Sequence, residues 1–347
     1  MSVNSSELRF YGSANMSDGD GTTQGGAVSF STKVSFADIT PNGTMDYVSS
    51  SASDTTVTLA VTGRDTTGVL QTETKTLSGT TPVAGSQTFE RLEKAVAGGT
   101  SAVGDVAALS HTAVVSAHTM QVGAANASGT TPPLAKLQSG DGASVAAGQI
   151  IRITGGTGAG QLRQIMAVNP GGAGADVVSV DRNWGTLPDA TSTYGVYQGF
   201  YLELAPSQIT QVRRLFPSAQ ADVGGGSTRT FYEKIFAVNV DTATALTGAA
   251  ILKQTDPASG TIDFALTTAL NDSGSVANRQ TAPASGIGSF SSGSAPQSIS
   301  VPGSGNLPSG ATPNSAGAQG VWVRMTLTAG LAPAKGSWSM RATGSST

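Results

Sequence analysis

Cysteine is absent from this chain of 347 residues, and histidine occurs only twice. The missing thiols exclude disulfide scaffolds, Cys-based zinc sites, iron–sulfur clusters and thiol nucleophiles. Charge is sparse as well. Asp, Glu, Lys and Arg make up 12% of the residues, about half the ~25% of an average soluble domain. The formal net charge is −3, which does not fit the dense basic footprint of a nucleic-acid binder. No apolar run approaches the ~18 residues needed to cross a bilayer as a helix. Residues 1–10 lack a basic segment followed by an apolar core, so the expectation is cytoplasmic synthesis without a signal peptide or membrane insertion.

Small residues fill the space that charge leaves, with 45 Gly among them. Short alternating segments stand between turn residues. Val28 and Phe30, then Val34 and Phe36, alternate with small polar residues, as do Val57, Leu59 and Val61. A period of two puts one face in a core and the other in water, the pattern of half-buried antiparallel strands. Pro41-Asn42-Gly43, Gly63-Arg64-Asp65 and Gly98-Gly99 mark turns between them. The stretch 88–98 reads as a strand rather than a helix.

The expected class is all-β: two antiparallel sandwich-like modules flanking a smaller barrel-like one. The expected boundaries are 1–112 for the first module and 113–204 for the second, which carries a Gly-rich hairpin. Residues 205–227 read as a short helix and Gly-rich linker, and 228–347 as a C-terminal sandwich. The helix is placed at 207–216, with Ser207 as N-cap, an apolar stripe of Ile209, Val212, Leu215 and Phe216, and Pro217 as its stop. A Ser/Gly/Pro-rich stretch at 273–319 reads as a projecting arm or a segment ordered by a partner.

Candidate chemistry is thin. The loop Gly155–Gly160 has no Gly-Lys-Ser/Thr ending, the third Gly of a dinucleotide fingerprint falls on Gln161, and a strand pattern follows it. Asp18 and Asp20 occupy the first and third positions of a calcium loop, but Thr23 and Ser29 stand where the turn Gly and bidentate Glu belong. His111 and His118 would face opposite sides of a continuous strand, and no third His completes a zinc set. No Gly-x-Ser-x-Gly elbow lies between a buried strand and a helix. The acids Glu90, Glu93, Glu203, Glu233, Asp256, Asp263 and Asp272 show no cleft pattern that would mark a glycosidase pair. No catalytic, cofactor or metal residue is assigned. The residues that invite a contact role are Tyr194, Tyr197, Phe200 and Tyr201, an aromatic cluster able to stack on sugars, and Arg213 and Arg214, able to meet an acidic partner.

Several segments carry a resemblance. Residues 61–95, VTGRDTTGVLQTETKTLSGTTPVAGSQTFERLEKA, resemble tailed-bacteriophage virion proteins, and 152–168 with 181–197 look like the same group. FYEKIFAVN (231–239) and AQGVWVRMTL (318–327) are similar to recurrent pieces of it. These motifs are built of turn and strand residues, so the resemblance transfers no site residue. It implies a non-enzymatic virion structural protein, most simply a head decoration or cement protein. Its partners would be the major capsid protein or other virion proteins, with a homo-oligomer on a symmetric lattice and no direct contact to nucleic acid or membrane. A neck- or tail-associated adhesin that binds a host glycan through the aromatic cluster is the alternative, and a virion-associated glycan hydrolase is the third reading.

Overall fold

A computed structural model describes residues 7–35, 37–99, 103–121, 133–204, 208–217, 226–257, 260–292, 297–298, 305–310, 317–330 and 338–345. The chain is nearly all β, and no helix among the described residues reaches seven residues. It divides into two compact units: residues 7–34 with 215–347, and residues 35–214.

The first unit begins with β1 (Leu8–Met16) and β2 (Thr23–Val34). The chain then leaves for the second unit, which holds β3 (Ala37–Gly43), β4 (Met45–Ser49), β5 (Thr58–Arg64), β6 (Leu70–Thr76), β7 (Val83–Ala84), β8 (Phe89–Gly98), β9 (Val106–Ser110) and β10 (Val115–Thr119). That unit continues with β11 (Leu134–Lys136), β12 (Ile150–Gly155), β13 (Leu162–Val168), β14 (Val177–Val180), β15 (Thr193–Tyr197), β16 (Gly199–Leu202) and β17 (Gln211–Arg213). The first unit resumes with β18 (Arg229–Asn239), β19 (Thr247–Thr255), β20 (Thr261–Leu270), β21 (Val276–Asn278), β22 (Gln297–Ser298), β23 (Ala318–Leu327) and β24 (Ser339–Ser345).

In the first unit the strand order is β20-β23-β18-β1-β2, with β21 on β2, and a second sheet runs β22-β19-β24. Phe231, Ile235, Ile262, Phe264, Val321 and Val323 of the larger sheet share one core with Leu246, Ala249 and Ile251 on and beside β19 of the smaller. This is the sandwich expected at the C-terminus, but it is completed by the N-terminal strands. The expected first module, 1–112, is therefore split. Strand β18 is buried along nearly its whole length and needs a hydrogen-bonding neighbour on each side. It finds β23 on one side and β1 on the other, with Leu8 opposite Asn239. Pairing across that much sequence leaves no local pattern.

In the second unit one sheet runs β17-β8-β5-β6 with β3 also on β8, and another runs β16-β9-β4-β7. A six-stranded sheet, β10-β15-β12-β13-β14-β11, curls into a half-barrel. The Gln121 amide donates to the Lys136 carbonyl and draws its two ends together. Ile151, Ile153, Ile165, Val178, Val180, Tyr194 and Val196 fill its concave side. Ile150 and Leu162 face the other way and pack with Val48, Ala107, Leu109 and Tyr201. The segment Gly155–Gly160 is the expected hairpin loop between β12 and β13. Gly156 has φ +72, and an added Cβ would collide with the Thr191 carbonyl, so only glycine fits there.

Two expectations are corrected. The segment 207–216 is not helical. Ser207 lies outside the described residues, and β17 pairs with β8, Gln211 opposite Val96. Gln208 and Phe216 take left-handed φ values of 55 and 52 and break the backbone on either side. Ile209, Val212, Arg213, Arg214 and Phe216 are all buried, so the polar face that an amphipathic helix requires does not exist. The free hydrogen-bonding edge of β8 outweighs a weak local helix propensity. The second correction concerns 273–319. Its described parts lie on the first unit's own strands: β21 on β2, Gly288 and Ser291 hydrogen-bonded to Leu266 and Phe264, and Leu307 to Leu246. Those parts are a lining of the sandwich and not a projecting arm.

Candidate functional site

The aromatic cluster is distributed through the interior of the second unit. Alternation along β15 sends Tyr194 and Tyr197 to opposite faces, as expected. Tyr194 is fully buried in the half-barrel. Its hydroxyl donates to Asp141 and accepts from the Gln138 amide at 2.8 Å. Burial, then the hydrogen bond to Asp141, pushes its phenol far above the ordinary range. Tyr197 packs half-buried against the Ile150–Leu162 side. Phe200 and Tyr201 on β16 are 2% and 3% exposed. The Tyr201 hydroxyl accepts from Arg182 Nε at 3.0 Å, and burial raises its pKa well above normal. A stacking surface needs an open ring face, and three of these four rings have none. They fill space between sheets.

Arg213 and Arg214 are likewise interior, at 1% and 8% exposure. Arg214 reaches Asp38 at 2.8 Å. Arg64 and Arg91 lie 2.8 and 3.9 Å from Glu93 on the same sheet. Burial and the neighbouring Arg214 charge lower the pKa of Arg91.

The two histidines have separate carboxylate partners. His111 Nδ1 lies 3.0 Å from Asp46, exposed to water, and that contact raises its pKa. His118 Nδ1 lies 2.8 Å from Asp141. Asp141 thereby joins His118 to Tyr194. Sequence reasoning singled out both ends of this link and missed its middle. Gly140-Asp141-Gly142 marks a turn, but nothing local names the partners of the carboxylate.

The calcium-like loop is neutralised from within. An Arg279 guanidinium nitrogen donates to the Asp18 carbonyl and lies 3.5 Å from Asp20, and Arg229 lies 3.1 Å from Asp20. Arg279 is in turn 3.3 Å from Glu233, both side chains fully buried. Two arginines therefore supply the positive charge that the loop would otherwise draw from a cation. No grouping of three or more metal-capable side chains occurs among the described residues.

Several other acids behave alike. Asp263 takes two bonds from Arg324, at 2.6 and 3.0 Å, and Asp256 holds Lys253 at 2.6 Å. Asp272 holds the fully buried Lys234 at 2.7 Å. Burial lowers the pKa of Lys234 against the opposing pull of Asp272. Burial pushes Asp272 up, but the bonds from Lys234 and Ser275 outweigh it and hold the carboxyl below its usual range. Near β9, Asp105 meets Arg182 and, at 3.8 Å, Arg163, whose guanidinium lies 5.1 Å over the Trp184 ring. Asp54 fastens a loop by accepting from Ser49 Oγ at 2.6 Å and from the Val103 and Gly104 amides at 2.9 and 3.1 Å. Each is a fixed partnership that can hold strands and loops in register.

Comparison with protein-family models finds no match for the chain, and comparisons with curated proteins and with solved structures find none either.

Proposed function

We propose that this protein is a non-enzymatic structural component of a tailed-bacteriophage virion, acting on the head as a decoration or cement protein. The observation that carries the reading is where the chain puts its chemistry. Glu93, Glu233, Asp263, Asp272, Arg213, Arg214 and Arg279 are spent on internal pairs and buried contacts, as a scaffold spends them. The resemblance of 61–95 and its companion segments to virion proteins supplies the setting. In the proposed mechanism the two β units lie on the shell and bridge capsid subunits. Contacts repeated over a symmetric lattice add by avidity. The burial of Tyr194, Phe200 and Tyr201 favours this reading over the adhesin alternative, which called for an exposed aromatic surface.

The test is quantitative stoichiometry in purified particles, normalised to the major capsid protein. A one-to-one ratio or a simple lattice fraction is expected, with earlier heat release of packaged DNA from particles lacking the protein. A copy number of a few per particle would move it to the neck or tail. Absence from particles would end the virion reading.

A further inference from the structure

Several arginines of this protein hold fixed acceptors. Arg163 donates to the Asn183 and Leu162 carbonyls at 2.6 Å each, and Arg324 donates twice to Asp263. Arg91 on β8 differs. Its Nε is buried without a partner, and its guanidinium donates no hydrogen bond among the described residues. Its ion pair with Glu93 is loose: the Glu93 carboxylate lies 3.9 Å away and takes a 2.8 Å bond from Arg64 instead.

The register of the second unit explains this. Asp38 on β3 and Arg64 on β5 stand opposite Arg91, one on each side. Residues directly opposite on neighbouring strands share a face, and like charges so placed repel. Thr62 pairs with Lys94 but Gly63 with Leu92, so Glu93 is the extra residue of a bulge. Arg214 arrives just after β17, its amide bonded to the Glu93 carbonyl and its guanidinium 2.8 Å from Asp38. Each nearby carboxylate is thus engaged by another arginine, Glu93 by Arg64 and Asp38 by Arg214, and Arg91 stands between two like charges. Burial, then the Arg214 charge, lowers the pKa of Arg91 against the pull of Glu93 and Asp38. A half-buried charge without a hydrogen-bonding acceptor is costly. The side chains of Arg64 and Arg91 are 30% and 24% exposed, so the place where the acceptor is lacking is open to solvent.

We propose that Arg91, flanked by Arg64 and Arg214, is a binding site for a carboxylate group presented by another molecule. A planar carboxylate matches the guanidinium fork with two parallel bonds. It also relieves the repulsion among the three arginines. Charge selects a monoanion. Asp38 and Glu93 border the site, and a phosphate dianion would bring two negative charges beside them where a carboxylate brings one. The site does not rest on the virion assignment.

The test uses the full-length protein, with acetate replacing chloride at constant ionic strength. The Nε–H resonance of Arg91, identified by its loss in Arg91→Gln, is expected to shift saturably with acetate in the millimolar range. The Tm of the second unit is expected to rise alongside it. Arg91→Lys keeps the charge but loses the fork, and should weaken acetate binding about tenfold or more, read from the Tm series. In chloride alone R91Q is expected to melt no earlier than the wild type, because it takes a like charge away from Arg64 and Arg214. A purely structural partner of Glu93 would instead give an earlier melt. Should the variants misfold, the wild-type titration decides alone. A wild type indifferent to acetate, or one that answers phosphate more strongly than acetate, overturns the proposal. So does a full acetate response in R91K, or a folded R91Q that melts earlier in chloride.

Discussion

The carboxylate of Asp272 is the partner of a fully buried ammonium, and its removal tests the account of that pair. Lys234 sits on the central strand β18 with its side chain fully buried, and its ammonium has three acceptors: the Gly26 carbonyl at 2.8 Å, the Asp272 carbonyl at 2.9 Å and the Asp272 carboxylate at 2.7 Å. Asp272→Ala leaves the two neutral carbonyls and takes away the carboxylate that compensates the ammonium among the described residues. Removing one partner of a buried pair costs roughly 3–5 kcal/mol, because an unpaired charge stays behind. The two remaining acceptors and the 15% exposure of Asp272 place this case near about 3 kcal/mol. In a unit of this size that corresponds to a fall in Tm of about 6–12 °C.

Calorimetry, resolving the transition of the first unit, is the assay. The double variant Lys234→Met/Asp272→Ala deletes the stranded ammonium as well and is expected to regain at least half of the loss. A loss below about 1 kcal/mol, or a double variant no more stable than D272A, would refute the account of Lys234 as a charge dependent on Asp272. The pH dependence has a definite sign. The folded pKa of Asp272 lies below the ordinary aspartate value of 3.8. Its stabilisation is therefore complete above that value and is lost as pH falls through the lower folded value. D272A should lack this part of the acid transition.

Three further outcomes follow from the same structure. Calcium or a chelator should leave the Tm of the first unit unchanged, because Arg279 and Arg229 already meet the charge of the Asp18–Asp20 loop; a calcium-dependent rise would show that the arginines do not fill that role. Phe200→Ala should destabilise the second unit by about 3–5 kcal/mol, since Phe200 is 2% exposed; a neutral effect in a thermal melt would contradict its place in the core. His111 should titrate in NMR above the ordinary histidine value of 6.5, and Asp46→Asn should return it toward that value. Because the folded pKa is raised, whatever stability this pair gives is fully present below the unfolded pKa and disappears as pH rises through the folded one. An unshifted His111 would mean that the contact is not held in solution.

Much of the local architecture was legible because its causes are local. Leu59 and Val61 show their period of two on β5, Val57 continues it just before the strand, and all three are buried. Ile151 and Ile153 face the half-barrel while Ile150 faces outward, an alternation that any reading of the segment contains. The glycine-rich loop after β12 was legible as a hairpin because left-handed backbone selects glycine wherever it occurs. The residues at 207–216 misled because Ile209, Val212 and Leu215 have helical spacing, while the partner that claims the segment, β8, lies more than a hundred residues earlier.

Composition and periodicity by themselves determined that this would be a β protein without thiol chemistry. Backbone sterics and side-chain alternation act over a few residues and leave their mark in any short stretch. Tertiary structure alone decided that β1 and β2 complete the C-terminal sandwich, that Asp141 stands between His118 and Tyr194, and that Arg279 takes the place of a cation beside Asp20. It also decided that the inviting aromatics would be core. Each of these depends on which distant strand supplies the missing hydrogen bonds or the opposite charge, and that choice is settled by the energy of the whole packed chain.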